Sequence, residues 1–335
     1  MLCPPIPAPG TDRRRRKLAD HPLVKDALGL PLHLLADKRR TYTSLAKPHV
    51  ITGDVPFGHI QRTPIDVSVT SPLLTLLQMA RHIPETHLVM ALYEFCGWFS
   101  VFKPSPLIES LLQEAERIAP PGSSFGWRRT RNQKGEPTDL WQRPPLVSLD
   151  ELHDFAELVR PMRGGCAFHR AADYVTGVCA SPFEAQTSML LGLPRKRGGE
   201  GIPGFANNQR IPLSRESSRI AGKTNCYADI LFDDAPTRPL VIECQGKVAH
   251  ASPSSQVNDS DRTAALQHMG FDVLPLTYSQ IVDFDRFDII RRLIAEKIGV
   301  GYRDKGPSLR KAETALRRDL FISWNMLGSW DKNKA

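Results

Sequence analysis

The C-terminal half of the chain switches repeatedly between strand-like and helix-like hydrophobic patterns. A helix that begins at Ser181-Pro182 is followed by three short apolar runs, then a helix, a fourth run and a last helix. The runs predict strands at Gln209–Leu213, Cys226–Phe232, Leu240–Cys244 and Asp272–Thr277, and the later helices cover about residues 256–269 and 283–298. The unbroken Leu240–Ile242 run is typical of a strand buried on both faces. This order predicts an α/β layer.

The N-terminal half mixes short β-like runs with helices, which predicts an α+β domain. Ser71-Pro72 and Ser148-Leu-Asp-Glu151 carry helix-start signals, and further helices are expected over residues 84–96 and 104–118. The predicted organisation is a mobile basic arm at 1–22, an α+β recognition or regulatory domain at 23–147 with a basic loop at 119–147, an α/β domain at 148–300 (core 181–282), and a C-terminal basic helix and tail at 301–335.

Composition narrows the classes of protein. The 335 residues carry a formal charge of +8, an excess that permits a nucleic-acid partner without requiring one. The most apolar stretch, Leu88–Phe102, is too short for a membrane helix, and the Pro-rich start lacks the apolar core of a signal peptide. The six cysteines include no CxxC pair. We therefore expect a reduced, cytoplasmic protein with no membrane partner.

Two basic clusters are candidates for contacts with nucleic acid. The first is Arg128, Arg129 and Arg131 beside Trp127, where an aromatic ring adjoins several cations. The second opens with Arg195, Lys196 and Arg197, within a segment at 194–223 that holds seven basic residues against two acidic ones. For both clusters the alternative is a solvated basic loop with no ligand.

Polar residues that interrupt the predicted buried strands carry the candidate chemistry. Asp229 lies in an otherwise apolar strand, and Glu243 lies at the end of the next one, with Gln245 on the same face as Glu243. A carboxylate on a buried strand needs a cation, a donor network or access to solvent. Such an oxygen-rich site suits a hard divalent cation such as Mg²⁺.

The order of these residues along the chain resembles that of the PD-(D/E)XK nuclease superfamily, and more narrowly that of its Vsr-like branch. The resemblance rests on Ser-Pro-x-Glu184, Ala-Asp229-Ile, Glu243-Cys-Gln-Gly-Lys-x-x-His250 and Asp259-x-x-Arg262, and it covers about a third of the chain, residues 181–282. It implies a restriction-endonuclease-like α-β-β-β-α-β core. A fainter likeness, at residues 69–80, is to AbiEi-type antitoxins and regulators.

The resemblance also implies roles for individual residues. Asp229 and Glu243 would be the primary ligands of Mg²⁺ or Mn²⁺, with Glu184 as the outer carboxylate. His250 would orient or deprotonate water or contact phosphate. Arg262 would stabilise phosphate charge or brace the site. Gln245 stands where many members have lysine, and Lys247 is the nearest residue that could supply that charge.

Each assignment has a structural alternative. Glu184 is the third residue of a helix capped by Ser181 and could serve only as a cap. Asp229 could be a turn or ion-pair residue, and Glu243 could have a purely structural partner. His250 could be an ordinary loop histidine. Arg262 could pair with Asp259 on its own helix.

Three functional hypotheses follow. The first is a metal-dependent endonuclease that hydrolyses DNA phosphodiester bonds in bacterial defence or repair, with RNA as a second candidate substrate. The second is a catalytically inactive, antitoxin-like regulator that binds nucleic acid, which Gln245 favours. The third is an interaction protein whose basic segments only keep it in solution.

Overall fold

A computed structural model of the chain describes residues 19–36, 42–51, 53–63, 67–118, 126–132, 134–246 and 253–329. A π-helical turn covers Leu23–Leu28, and short 3₁₀ helices cover Arg195–Arg197 and Trp324–Ser329. The α-helices are α1 (Pro72–Met79), α2 (Glu85–Cys96), α3 (Pro106–Ile118), α4 (Leu149–Leu158), α5 (Gly165–Ala172), α6 (Pro182–Gly192), α7 (Arg215–Ala221), α8 (Pro253–His268), α9 (Tyr278–Val282), α10 (Phe284–Lys297) and α11 (Pro307–Leu320). The strands are β1 (Leu32–Ala36), β2 (Ala46–Val50), β3 (Ile60–Arg62), β4 (Ser68–Thr70), β5 (Phe99–Val101), β6 (Arg128–Arg131), β7 (Pro137–Gln142), β8 (Ala206–Pro212), β9 (Asn225–Phe232), β10 (Leu240–Gln245) and β11 (Asp272–Thr277).

Serine caps start the helices where the sequence predicts them. The Ser71 hydroxyl accepts a hydrogen bond from the Leu74 backbone N–H at 3.2 Å. Ser148 and Glu151 form the reciprocal capping box that opens α4. Because the first turn of a helix has unpaired N–H groups, these side chains fix the residue at which each helix begins.

The C-terminal half contains a mixed four-stranded sheet in the order β11-β10-β9-β8. The β8–β9 and β9–β10 pairs are antiparallel, and β10–β11 is parallel. Helix α8 makes the crossover between the two parallel strands, as a parallel connection requires. The predicted α/β class is confirmed. Helix α7, between β8 and β9, was not predicted.

A single main cluster of buried apolar side chains runs through both halves of the chain. It extends from Leu73 on α1 through α2, α6 and the sheet to Leu327 near the C-terminal end of the described residues. A smaller cluster joins Val241 on β10 to Leu266 on α8, on the other face of the sheet. Helix α6 therefore lies between the sheet and the N-terminal helices.

The segment predicted as a basic loop, 119–147, contains a β-hairpin. Strands β6 and β7 pair antiparallel, and β7 also pairs with β5 to complete a three-stranded sheet. The prediction was wrong because Gly126 and Gly135 lie outside the strands and Pro137 only opens β7, whereas Trp141 inside β7 is buried. Residues 119–125, like 1–18 of the predicted arm, lie outside the described residues.

Within the described residues, no helix is both long enough and apolar enough to cross a membrane.

A buried network of charges joins α10 and α11 to the loops beside them. The Glu200 carboxylate pairs with Arg291 and with Lys305, each at 2.8 Å. Glu313 receives the same two cations at 3.4 and 3.3 Å, together with Arg317 at 3.4 Å. All five side chains are at least 96% buried. Removal of one carboxylate would leave buried cations without enough counter-charge.

We expect Glu313→Gln to lower the free energy of unfolding by about 3–5 kcal/mol, because Arg317 would lose its carboxylate partner and Arg291 and Lys305 would each lose one of theirs. Urea denaturation measures the change. The control is Asp304→Asn, which removes an exposed pair with Arg292 and should cost at most about 1 kcal/mol. Equal losses in the two variants would contradict the importance of this network.

Candidate functional site

Two carboxylates lie where strands β9 and β10 separate. The antiparallel ladder runs from the Phe232–Leu240 pair to Ile230–Ile242, and Asp229 and Glu243 come immediately after it. Beyond that point the Cys244 backbone N–H donates to Asp229 Oδ2 at 2.7 Å. The Asp229 side chain therefore stands between the diverging strands and takes the place of a ladder hydrogen bond.

Glu243 is buried and forms an ion pair with Arg262 of α8. The pair joins strand β10 to the crossover helix. The Glu243 side chain is 7% exposed and that of Arg262 is 25% exposed. Among the described residues, Arg262 therefore pairs with Glu243 of β10 rather than with Asp259 of its own helix. The second carboxylate oxygen, Glu243 Oε1, is buried and has no hydrogen-bond partner among the described residues. A buried carboxylate oxygen without a donor points to a ligand or a cation.

Glu184 caps helix α6. Its Oε2 accepts from the Ala180 backbone N–H at 2.7 Å, and its Oε1 accepts from the Ser181 hydroxyl at 2.7 Å. The Ser181 hydroxyl in turn accepts from the Glu184 N–H at 3.2 Å. In this arrangement both oxygens of Glu184 serve the start of its own helix, so the capping alternative describes its contacts better than the predicted role of metal ligand.

Two of these carboxylates, Glu184 and Asp229, have raised pKa values because they lie in a medium of low polarity. Burial raises the pKa of Glu184 to about 8, and the nearby charge of Asp229 adds to that rise. Burial also raises the pKa of Asp229, against the opposing effects of the Cys244 N–H and Arg262. Asp259, which the sequence reasoning did not assign to the site, raises the pKa of Asp229 further. The Arg262 guanidinium therefore acts on Glu184 and Asp229 in addition to its ion pair with Glu243.

The remaining residues of the predicted site are placed only in part. Gln245 is the last residue of β10, in register with Thr277 of β11, and it lies two positions beyond Glu243. Strand alternation therefore puts Gln245 and Glu243 on one face. Lys247 and His250 lie outside the described residues, so their predicted roles remain predictions.

The carboxylates fit a magnesium-type cation in donor chemistry but not as a preformed cage. Among the described residues no group of three or more His, Cys, Asp or Glu side chains is arranged to hold a metal ion. Mg²⁺, however, is commonly bound by one or two carboxylates together with water and substrate phosphate. Asp229 and the partnerless Oε1 of Glu243 can supply that smaller set.

Asn207 on β8, which the sequence reasoning missed, forms a hydrogen bond with the backbone of Asp229. Asn207 Nδ2 donates to Ser188 Oγ at 2.6 Å and to the Asp229 backbone carbonyl at 3.1 Å. Its Oδ1 accepts from the Thr176 hydroxyl at 2.6 Å. The next residue, Asn208, has φ 48°, a conformation in which asparagine is enriched. The Asn-Asn dipeptide inside a strand was the available signal.

The predicted cluster at Arg195–Arg197 lies at the opposite end of α6 from Glu184. Arg195, Lys196 and Arg197 follow the C-terminal end of α6, whereas Glu184 is in its first turn. At 1.5 Å per residue the helix separates them by about 12 Å or more. Arg197 pairs with Glu85 at 3.2 Å, and Arg195 donates to the Arg303 backbone carbonyl at 2.7 Å. Arg195 and Arg197 are therefore engaged within the protein, and the predicted contact of this cluster with nucleic acid stays a prediction.

The predicted cluster of Arg128, Arg129 and Arg131 lies on the β6–β7 hairpin, where each residue has a partner within the protein. Arg129 pairs with Glu109 at 2.7 Å and its guanidinium lies 5.7 Å from the centroid of the Trp141 ring. Arg131 donates to the Gly135 carbonyl at 2.7 Å, and Arg128 lies 3.6 Å from Glu116. Arg129 therefore has a structural role, while Arg128 and Arg131 remain exposed.

Comparison with known protein families, with curated proteins and with solved structures finds no match for this chain.

The raised pKa of Glu184 predicts a specific dependence of stability on pH. Because the folded state binds this proton more tightly than the unfolded state, stability is largest below about pH 4.5 for this group and is lost as the pH rises towards about 8. The comparison is wild type against Glu184→Gln, by urea denaturation at pH 5 and pH 8.

We expect Glu184→Gln to remove part of that loss, so that the variant loses less stability than wild type between the two pH values, by at least about 1 kcal/mol. The exposed Glu216→Gln should follow wild type. Parallel behaviour of Glu184→Gln and wild type would show that Glu184 titrates in its ordinary range.

Proposed function

We propose that this protein is a metal-dependent nuclease that hydrolyses phosphodiester bonds of nucleic acid at Asp229 and Glu243. The observation that carries the proposal is the placement of half-buried Asp229 and buried Glu243 where β9 and β10 diverge, with one oxygen of Glu243 lacking a donor among the described residues. Buried charge without full compensation is costly, so such a cluster is a candidate functional site.

The order of the secondary structure supports the same proposal. Helix α6, the β8-β9-β10 meander, the α8 crossover and β11 follow the α-β-β-β-α-β order of a restriction-endonuclease-like core. The extra helix α7 is an insertion between the first two strands. Fold alone does not define activity, and the argument for chemistry rests on the carboxylates.

The proposed chemistry assigns distinct tasks to the site's side chains. A bound Mg²⁺ or Mn²⁺ would polarise a phosphoryl oxygen and lower the pKa of a water molecule. Asp229 and Glu243 would hold the cation, and the Cys244 N–H would fix the orientation of Asp229. Arg262, released from Glu243, would be free to donate to the oxygens of the scissile phosphate.

The Arg262–Glu243 ion pair also favours a second candidate function. A guanidinium that neutralises Glu243 could be permanent, and Gln245 cannot supply the charge that lysine gives in the resembled superfamily. The second candidate is therefore an inactive regulator that binds nucleic acid without cutting it. Binding of a divalent cation distinguishes the two.

We expect cleavage of plasmid and single-stranded DNA in the presence of Mn²⁺ or Mg²⁺, and we expect Glu243→Gln to slow it by about 1000-fold, because loss of a metal ligand removes several kcal/mol of transition-state stabilisation. The matched control is Glu296→Gln, which changes an exposed carboxylate on α10. Cutting by Glu243→Gln at the wild-type rate would refute the assigned site.

We further expect Arg262→Gln to bind Mn²⁺ about tenfold more tightly than wild type, because the cation no longer competes with a guanidinium for Glu243, and tenfold corresponds to about 1.4 kcal/mol. Electron paramagnetic resonance of free Mn²⁺ gives the affinity. Arg292→Gln, which alters an exposed ion pair, is the control. Weaker binding by Arg262→Gln would mean that Arg262 supports the cation site instead of occupying it.

A further inference from the structure

The connection from β8 to β9 exposes a group of basic side chains that have no carboxylate partner among the described residues. Arg210, Arg215, Arg219 and Lys223 are exposed, and none of them forms an ion pair within the described part of the chain. Glu216 is the one acidic residue between positions 209 and 227. We call this the β8–α7–β9 surface, and its unpaired cations make it suited to a polyanion.

Other basic residues of the protein are used differently. Arg197 is held by Glu85, and Arg129 is held by Glu109. A cation already paired with a carboxylate gains little from a phosphate, because one partner must be given up for the other. Within the basic segment 194–223 that the sequence singled out, the β8–α7–β9 surface is therefore better placed for phosphate contacts than Arg197, and it is also better placed than Arg129.

An aromatic ring lies at the same end of the β8–β9 hairpin, on the sheet face that points away from α8. Tyr227 is 50% exposed and lies directly opposite Arg210 in the β8–β9 ladder. Residues opposite each other in an antiparallel pair share a face, with Cβ atoms about 4.5–5.5 Å apart. Arg210 is oriented by a hydrogen bond from its Nε to Asn225 Oδ1 at 2.9 Å. An exposed ring beside a positioned guanidinium is a platform on which an unpaired base can stack.

This platform is close to the proposed catalytic carboxylates. Tyr227 precedes Asp229 by two residues on β9, which corresponds to about 7 Å along a strand. Successive phosphates along one strand of a nucleic acid are separated by a comparable distance. A base stacked on Tyr227 would therefore place a neighbouring phosphate at about the level of Asp229 along β9.

We propose that the β8–α7–β9 surface binds single-stranded nucleic acid, with a base stacked on Tyr227 and phosphates held by Arg210, Arg215 and Arg219. The consequence for cleavage rests on the proposed function, but binding itself does not. A single strand fits better than a duplex, since a stacking platform requires a base whose face is free. Backbone contacts alone do not separate DNA from RNA, so both sugars are included in the test.

The experiment measures fluorescence anisotropy of labelled dT20, U20 and a 20-base-pair DNA duplex, in EDTA so that no cleavage occurs. We expect tighter binding of the single strands. Tyr227→Ser should weaken single-strand binding by about 5- to 150-fold, the equivalent of about 1–3 kcal/mol for one stacked base. Tyr227→Phe keeps the ring and should bind as wild type does.

The salt dependence tests the phosphate contacts separately. The double variant Arg215→Gln/Arg219→Gln should reduce the slope of log affinity against log salt by about 1.4, since each single-strand contact contributes about 0.7. The matched control is Arg128→Gln/Arg131→Gln on the β6–β7 hairpin, which should leave the slope unchanged.

Two results would overturn the proposal: an unchanged affinity in Tyr227→Ser, or duplex binding as tight as single-strand binding. Preferred binding of U20 over dT20 would support it with RNA as the partner, and the reverse order would support it with DNA. Because these measurements exclude metal, a failure here leaves the cleavage test of Glu243 independent. Binding without metal-dependent cleavage would retain this surface and remove the nuclease proposal.

Discussion

The complete burial of helix α6 is the constraint on which the rest of the structure depends. Every residue from Phe183 to Leu191 is buried, so this helix has no face for solvent. Its polar side chains must find partners inside the protein. Gln186 donates to the Leu320 carbonyl of α11 at 2.9 Å, and Ser188 receives Asn207 from β8. These contacts tie the sheet and the C-terminal helices to one element.

The same constraint explains why the candidate site is strained electrostatically. Glu184 opens α6 and satisfies its first turn, so a carboxylate is buried beside Asp229 whether or not a ligand is present. The fold accepts this arrangement because Arg262 faces the group and lowers the pKa of both residues. Arg262 therefore stabilises the buried carboxylates in the folded protein and is also the residue that the proposed function needs for phosphate. Its exposed fraction of 25% leaves a route by which the side chain can move away from Glu243.

The sequence predicted the elements of this fold better than the roles of its charged side chains. The strand at Asp272–Thr277 and the helices opened by Ser71, Ser148 and Ser181 follow from local patterns, since caps and apolar periodicity act over a few residues. The loop predicted at 119–147 was wrong because β7 pairs with β5 as well as with β6, and the contact with β5 is made at a distance along the chain.

Charged residues were harder to assign for the same reason. The tract at Arg195–Arg197 looks available in the sequence, but Glu85, more than 100 positions away, holds Arg197. Conversely, Asp229 and Glu243 stand out in the sequence as candidate site residues because a carboxylate within an apolar strand is a local anomaly. Their partner Arg262 was recognised only through the family resemblance, and the sequence left its pairing open.

The central claim is that Asp229 and Glu243 form a cation site that Arg262 occupies when no metal is bound. A crystal structure of the protein with Mn²⁺, analysed by anomalous scattering, tests it most directly. The account predicts one manganese peak in contact with carboxylate oxygens of Asp229 and Glu243, with the Arg262 guanidinium displaced from Glu243. A map without a peak at these residues, with Arg262 still paired to Glu243 at saturating Mn²⁺, would contradict it.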